Sequence, residues 1–232
     1  YKLQPNILVN NRAARFVFGD KAGEPDPDIA ELVKGDFDTP EGRIGAFQCD
    51  RPWESCIVMS KPANGGGWSY RPDATTRSFA ECAKMLSACV SGCGNLLLNA
   101  GPMASGALRP EEMSVLAAFG PWIEIYGESI YGTRGGPYVG GEWGGATTKG
   151  NALYLHVFDW PRGRLTLPAL PRKLLSCTEL GGEKVTCTQS ADRLILKLDG
   201  GKTTDLHSVV KLTLKPGEPI PMMPVGSQRH RG

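Results

Sequence analysis

The glycine-rich stretch GTRGGPYVGGEWGG, residues 132–145, divides this sequence into two halves with different periodicities, and no single regular architecture can hold both. Before it, apolar runs of strand length alternate with helical patterns, the signature of βα units. After it come only short strand-like runs with turns between, at residues 152–158, 164–167, 174–180, 184–188, 193–198 and 209–214. The alternation of Leu194, Leu196 and Leu198 against Arg193, Ile195 and Lys197 fits a half-exposed antiparallel sheet. The expected fold is therefore α/β followed by all-β, the second part being a small β-sandwich with Trp143 and Trp160 in its core or at its junction. The glycine-rich stretch itself reads as a linker or an edge segment. Residues 217–232, rich in proline, glycine and arginine, should be an extended tail ordered only where it touches the body.

In the first half, residues 6–10 and 53–59 are short apolar runs, the second suited to a buried parallel strand. Ser78 with Glu81 forms a capping-box pattern. Behind it Phe79, Cys82, Ala83, Leu86, Cys89 and Val90 recur on one helical face until Gly92 and Gly94 stop it. A strand, NLLLNAGP at 95–102, precedes a second helix with Pro110 in its first turn, Glu111 and Glu112 after it, and Met113, Leu116, Ala117 and Ile123 expected inward. Gly120-Pro121 should bend that helix.

With 41% hydrophobic and 22% charged residues in 232, the chain can bury a sizeable core, and its net charge of +2 with dispersed Lys and Arg argues against a nucleic-acid surface. No apolar stretch approaches the ~18 residues of a membrane span, so no membrane partner is expected. The histidines His156, His207 and His230 are far apart and no CxxC pair exists, so neither a metal nor another cofactor is expected. Among the seven cysteines, Cys82, Cys89 and Cys93 sit at helical spacing and read as buried thiols. Cys177 and Cys187 flank the turn at Gly181-Gly182, where a disulfide across a hairpin is possible. A serine hydrolase is disfavoured, because no G-x-S-x-G stands before a helix and His156 lies within a strand-like run.

Eight motifs occur together: LQPNILVNNR, GDFDTPE, RPWESC, GGWSY, GCGNLLLNAGP, GxLRPEE at 106–112, GESIYGTR and ALYLHVFDWP. In that order and spacing they resemble the C-terminal portion of the retaining α-L-fucosidases, glycoside hydrolase family 29, over nearly all of residues 1–215. The resemblance implies that residues 1–134 are the C-terminal third of a (β/α)8-like TIM barrel with its site at the carboxyl ends of the strands, followed by a C-terminal antiparallel β-sandwich over 135–216. It implies a double-displacement hydrolysis of terminal α-L-fucosyl linkages by two carboxylates, roughly 5 to 5.5 Å apart in retaining enzymes. It also implies that the attacking aspartate precedes LQPNILVNNR, in an upstream segment outside these residues. A substrate that is a fucosylated oligosaccharide or glycoconjugate, and a secreted, periplasmic or lysosomal setting, follow from the same resemblance.

Residue by residue, the resemblance implies Glu41 as acid/base, on a loop between two strand-like segments, with Glu54, which opens the next strand, as the alternative. Arg12 matches an arginine that bonds the sugar near the nucleophile, where a planar fork serves better than a lysine. The family more often has Asn-Asp-Arg where this chain has Asn10-Asn11-Arg12, so the position beside Arg12 brings no charge. Trp68 matches an aromatic that packs on the fucose methyl group, and Gly65, Gly66 and Gly67 let its loop bend into the cleft. Without the resemblance, Glu41 would be a solvated turn acid, Arg12 a structural salt bridge and Trp68 a rim residue. Asp36 and Asp38 read as turn residues. Asn99, at the end of its strand, reads equally as a site residue or as a pin for a loop.

Part of a barrel cannot close its sheet, so a partner is expected: an N-terminal barrel fragment or second chain carrying the nucleophile. A homo-oligomer is also open. The competing class is a non-catalytic glycan-binding or structural subunit derived from a fucosidase.

Overall fold

The computed structural model describes residues 3–13, 35–61, 67–199 and 206–225. Gly65, Gly66, His230 and the tail beyond Val225, each invoked above, lie outside the described residues.

The first half is organised by one parallel pair and two helices. Strand β1 (Glu54–Val58) pairs in parallel with β4 (Asn95–Asn99), in the register Cys56 to Leu97. Between them in sequence lie the two-residue strands β2 (Ser60–Lys61) and β3 (Thr75–Thr76) and helix α1 (Phe79–Ser91). Ser78 caps α1 as its pattern requires: its side chain accepts from the Glu81 amide, and Glu81 returns to the Ser78 amide at 2.8 Å. The Lys61 ammonium, followed by the Ser78 amide, holds the Glu81 carboxyl down at about 2.

Helix α2 (Pro110–Tyr126) runs through Pro121 and presents a different face from the expected one. Met113 and Leu116 are 51% and 38% exposed, whereas Glu112, Val115 and Trp122 are buried. Arg109 reaches Glu112 at 3.2 Å and is held there by bonds to the Ala74 carbonyl and Thr76 Oγ1, which keeps the Glu112 carboxylate inside. Phe79, Phe119 and Trp122 meet edge-to-face below that pair, with centroids 5.0 to 6.4 Å apart.

In the second half, β5 (Arg134–Gly135), β6 (Gly144–Lys149) and β7 (Ala152–Val157) form antiparallel ladders, followed in sequence by β8 (Arg164–Pro168), β9 (Leu174–Glu179), β10 (Val185–Gln189), β11 (Arg193–Leu198) and β12 (Ser208–Leu214). They make a five-stranded sheet, β5-β6-β7-β12-β9, and a three-stranded one, β10-β11-β8. The two sheets share a core of Leu153, Leu155, Val210 and Leu212 against Leu165, Leu167, Leu194 and Leu196, with Trp143 and Trp160 inside it. This is the β-sandwich the alternation announced. The glycine-rich stretch supplies its edge: Arg134-Gly135 pairs with β6, which starts at Gly144.

Strand β7 is buried from Leu153 to Val157 on both faces, because its second face packs toward the helices of the first half. There His156 and His207 lie 6.1 Å apart, His207 is hydrogen-bonded to Ser87 of α1 at 2.8 Å, and Thr147 links His156 to the Ser129 carbonyl.

Two disulfides correct or complete the reading of the cysteines. Cys93 is not a helical thiol: α1 ends at Ser91, Cys93 adopts φ +68°, and its sulfur is bonded to Cys49. Cys177 and Cys187 are bonded, joining β9 of one sheet to β10 of the other rather than facing across one ladder. Cys82 and Cys89 are buried free thiols, and burial pushes each up to about 11.

Candidate active site

Parallel bridges extend the β1–β4 pair backward in sequence. Asp38 bridges to Trp53, Glu41 to Cys56, and Asn10 to Phe37, all in parallel. The run GDFDTPE, expected as a loop, is thus a ragged strand, and residues 6–10 contribute only the bridge at Asn10. Pro40 accounts for the raggedness: it has no amide to donate, so only its carbonyl joins the ladder, accepting from the Cys56 amide at 2.9 Å. Asp38 is a bridge residue rather than a turn residue, whereas Asp36 stands at the bend after Gly35. Asp36 accepts the Val9 amide at 2.7 Å, and Asp38 pairs with Arg51 at 3.0 Å.

Arg12 and Glu41 come together. Two strand segments end side by side, and at those ends the Arg12 guanidinium meets the Glu41 carboxylate at 2.5 Å. The rest of the fork is fixed by Thr39: Nε donates to Thr39 Oγ1 at 2.8 Å and the second terminal nitrogen to the Thr39 carbonyl at 3.0 Å. Thr39 Oγ1 donates in turn to Asn11 Oδ1 at 3.0 Å. Asn11, where the family more often has aspartate, therefore acts as a neutral acceptor holding Thr39, and Arg12 keeps Glu41 as its only carboxylate partner among the described residues. Thr39 and Asn11 were not foreseen. Their one sequence signal is that Thr39 and Glu41 are two apart, and so share a face if GDFDTPE is a strand.

Bridge partners point to one side of a sheet, so Glu41, Cys56 and Leu97 share a face. Ser55 and Ile57 point the other way, into the buried layer. The shared face is open: Leu97 is 42% exposed and Cys56 is partly so. Burial, then Glu54 and Glu41, pushes the Cys56 thiol up, with Arg12 opposing. Glu54 also belongs to this face, but it opens β1 at the amino end of the strand, away from the ends where Arg12 and Glu41 meet. Trp68 sits over the carboxyl end of β4, because Asn99 Nδ2 donates to the Trp68 carbonyl at 2.8 Å. Its side chain is 39% exposed. Asn99 is thus the pin for this loop, and Gly101 lets the loop come close: a Cβ there would stand 2.5 Å from the Tyr70 amide nitrogen.

The segment after Glu41 is fastened by Trp53. Its indole Nε1 donates to both the Gln48 and Gly92 carbonyls at 3.2 Å. Its ring fills the space where Cβ atoms on Gly45, Gly92 or Gly94 would stand, 2.3 to 2.9 Å away. The Cys49–Cys93 disulfide and the bond from Arg134 to the Cys49 carbonyl close the same strap. A cleft of about 600 Å³ is lined by Arg12, Thr39, Glu41, Arg43, Gln48 and Trp53, among others. No group of three or more His, Cys, Asp or Glu side chains among the described residues is arranged to hold a metal ion.

The family model for α-L-fucosidase matches residues 3–128, which is more than half of the chain and includes every residue named above as lining the cleft. The chain belongs to the α-L-fucosidase family. An α-L-fucosidase of Branchiostoma floridae is 34% identical over 131 residues, 52% of this chain and 27% of that protein. The tissue α-L-fucosidase of Mus musculus is 33% identical over 141 residues, 56% of this chain and 29% of that protein. The matched stretch is therefore under a third of the length of these curated relatives. Among solved structures, α-L-fucosidase isoenzyme 1 of Paenibacillus thiaminolyticus superposes with a TM-score of 0.74 at 31% identity, covering 93% of this chain and 52% of that one. The α-L-fucosidase of Vibrio sp. strain EJY3 gives 0.79 at 22% identity, covering 94% and 38%, which speaks to the fold alone. No helix among the described residues is long and apolar enough to cross a membrane.

Proposed function

We propose that this chain is the part of a retaining α-L-fucosidase that supplies the acid/base and sugar contacts, while a segment outside this sequence supplies the attacking aspartate. The observation that carries the reading is the pairing of Arg12 with Glu41 at the carboxyl ends of adjacent parallel segments, where enzymes of barrel type place their sites. In the first step the aspartate attacks the anomeric carbon, the bond to the leaving oxygen breaks, and Glu41 delivers a proton to that oxygen. In the second step Glu41 takes a proton from water as it attacks the glycosyl-enzyme, which regenerates the aspartate with net retention. Arg12, braced by Thr39 and Asn11, orients Glu41 and offers guanidinium donors to the sugar. Trp68 supplies an apolar wall for the methyl group of a 6-deoxy sugar. Glu54 is the weaker acid/base candidate, since it stands at the amino end of β1.

The barrel assignment for residues 1–134, with the sandwich over 135–216, rests on the run of parallel bridges from Asn10 to Asn99. The far edge of β4 has no strand partner among the described residues. Beside it lies a cleft of about 750 Å³ lined by Leu96, Leu98, Leu116, Phe119 and Tyr131, a fit for a further strand and helix. We assign that place to the missing barrel portion, whether N-terminal fragment or second chain. The substrate is then a fucosylated oligosaccharide or glycoconjugate. The two disulfides suit a protein matured in an oxidising compartment.

The test is Glu41→Ala in the intact enzyme, assayed on an aryl α-L-fucoside with and without azide. Activity should fall by about 10²- to 10⁴-fold, and azide should restore turnover as the α-configured fucosyl azide. Full activity in that variant, with Glu54→Ala crippled instead, would hand the role to Glu54.

A further inference from the structure

Two arginines, Arg12 and Arg43, line the cleft and a third, Arg51, pairs with the lining residue Asp38; they differ in their charge partners. Arg12 is taken by Glu41, and Arg51, behind Gln48, is taken by Asp38 at 3.0 Å and by the Gly35 carbonyl. Arg43 lines the cleft, is exposed, and makes no ion pair or side-chain hydrogen bond among the described residues. Its backbone is nevertheless fixed. Gly42 turns the chain directly after Glu41 with φ +69° and donates to the Cys56 carbonyl at 2.9 Å, and Gly45 donates to Ser55 Oγ at 3.0 Å. Further on, Gln48 donates to the Gly92 carbonyl at 3.1 Å, and Cys49 is bonded to Cys93. A guanidinium held on a fastened strap, with no charge partner among the described residues, is a presented charge.

The chemistry fixes what it faces. An acid/base protonates the oxygen of the departing group, so a side chain that flanks Glu41 away from the Arg12 sugar contact meets that group rather than the fucose. The Cα of Arg43 is two residues from that of Glu41, at most ~7 Å away, within the reach of an arginine side chain. We propose that Arg43 is a specificity residue for the leaving-group side, selecting fucosides whose aglycone carries an anionic oxygen group, a carboxylate or a sulfate ester, through a forked charge-assisted contact. The inference rests on the fucosidase reading given above and names the part of the substrate that reading leaves open.

The experiment measures kcat/KM of the intact enzyme and of its Arg43→Gln variant on three aryl α-L-fucosides. Their phenols carry a carboxylate, a sulfate ester or the neutral methyl ester. Comparing the same substrates in both enzymes cancels their different leaving-group reactivities. The wild type should favour an anionic over the neutral substrate by about fivefold more than the variant does, the scale of a partly exposed ion pair, and raised salt should erode that preference. The arm that responds, carboxylate or sulfate, names the group selected. Identical anionic-to-neutral ratios in the two enzymes overturn the assignment of Arg43 while leaving the fucosidase reading intact. Failure of the wild type to cleave even the neutral fucoside overturns the reading itself, and the assignment with it.

Discussion

Acidification from pH 7.5 to 5 should weaken the fold through the two histidines at the junction of its halves. Burial is the first cause of depression for both rings. His156 is lowered to about 3, with the charge of His207 adding to the effect and the Ser129 carbonyl opposing it; His207 is lowered to about 4, with Lys84 adding. Both therefore stay neutral in the folded state at pH 5, while in the unfolded chain they bind protons from about pH 6.5 downward. The sign follows: the unfolded state holds more protons, so stability falls as pH drops through 6.5 and goes on falling until the folded values are reached. At pH 5 each unfolded ring gains about 1.5 × 1.36, or about 2 kcal/mol, so the pair costs about 4 kcal/mol. That is a large part of a typical folding stability. Glu179, raised first by burial, gains stability in acid and partly offsets the loss, whereas Glu81 loses stability only as pH falls below about 4.5 toward about 2. Urea unfolding followed by tryptophan fluorescence at pH 7.5, 6 and 5 reads the effect, and Trp122, 5.8 Å from His207, is a local reporter. His207→Gln removes one titration and should shrink the pH 7.5-to-5 loss by about 2 kcal/mol. An unchanged loss in that variant would refute the reasoning.

Arg109→Ala strands Glu112, 1% exposed, without its cation; it should cost about 3 to 5 kcal/mol, and replacing both residues by Met should cost less than the single change, by thermal unfolding. Cys93→Ser opens a linkage spanning 44 residues, worth about 4 kcal/mol in the chain-entropy account, and Cys49→Ser should match it without adding to it in the double variant. Gly94→Ala puts a methyl 2.3 Å from the Trp53 indole; a loss of about 1 to 3 kcal/mol and a shifted tryptophan emission are expected by denaturation and fluorescence.

The elements that could be read from the sequence are those whose pattern is set by their own neighbours. The capping box of α1 and the alternation of β11 needed nothing distant, and both stand as expected. The inward Glu112 of α2 depended on Arg109 finding Ala74 and Thr76 some 33 to 35 residues away, a contact with no local signal. Cys93 was misassigned for a similar reason: helical spacing continued past Gly92, but the chain did not, and its partner Cys49 lies on the strap after Glu41. At the candidate site, the motifs singled out Arg12 and Glu41, and the structure pairs them. Thr39 and Asn11 were not, because a proline within GDFDTPE hid the strand that brings them together. Asn99 kept two readings until the bond to the Trp68 carbonyl chose the loop pin.

Trp53 makes the loop after Glu41 inseparable from a turn far along the chain. The indole touches Gly45 on one side and Gly92 and Gly94 on the other, and its single N–H serves both segments. Anyone transplanting residues 42–49 between relatives to alter substrate choice would need to move 92–94 with them, as a matched cassette. A graft of either half alone would set a side chain against the ring or leave the half-cystine at 49 or 93 without its mate.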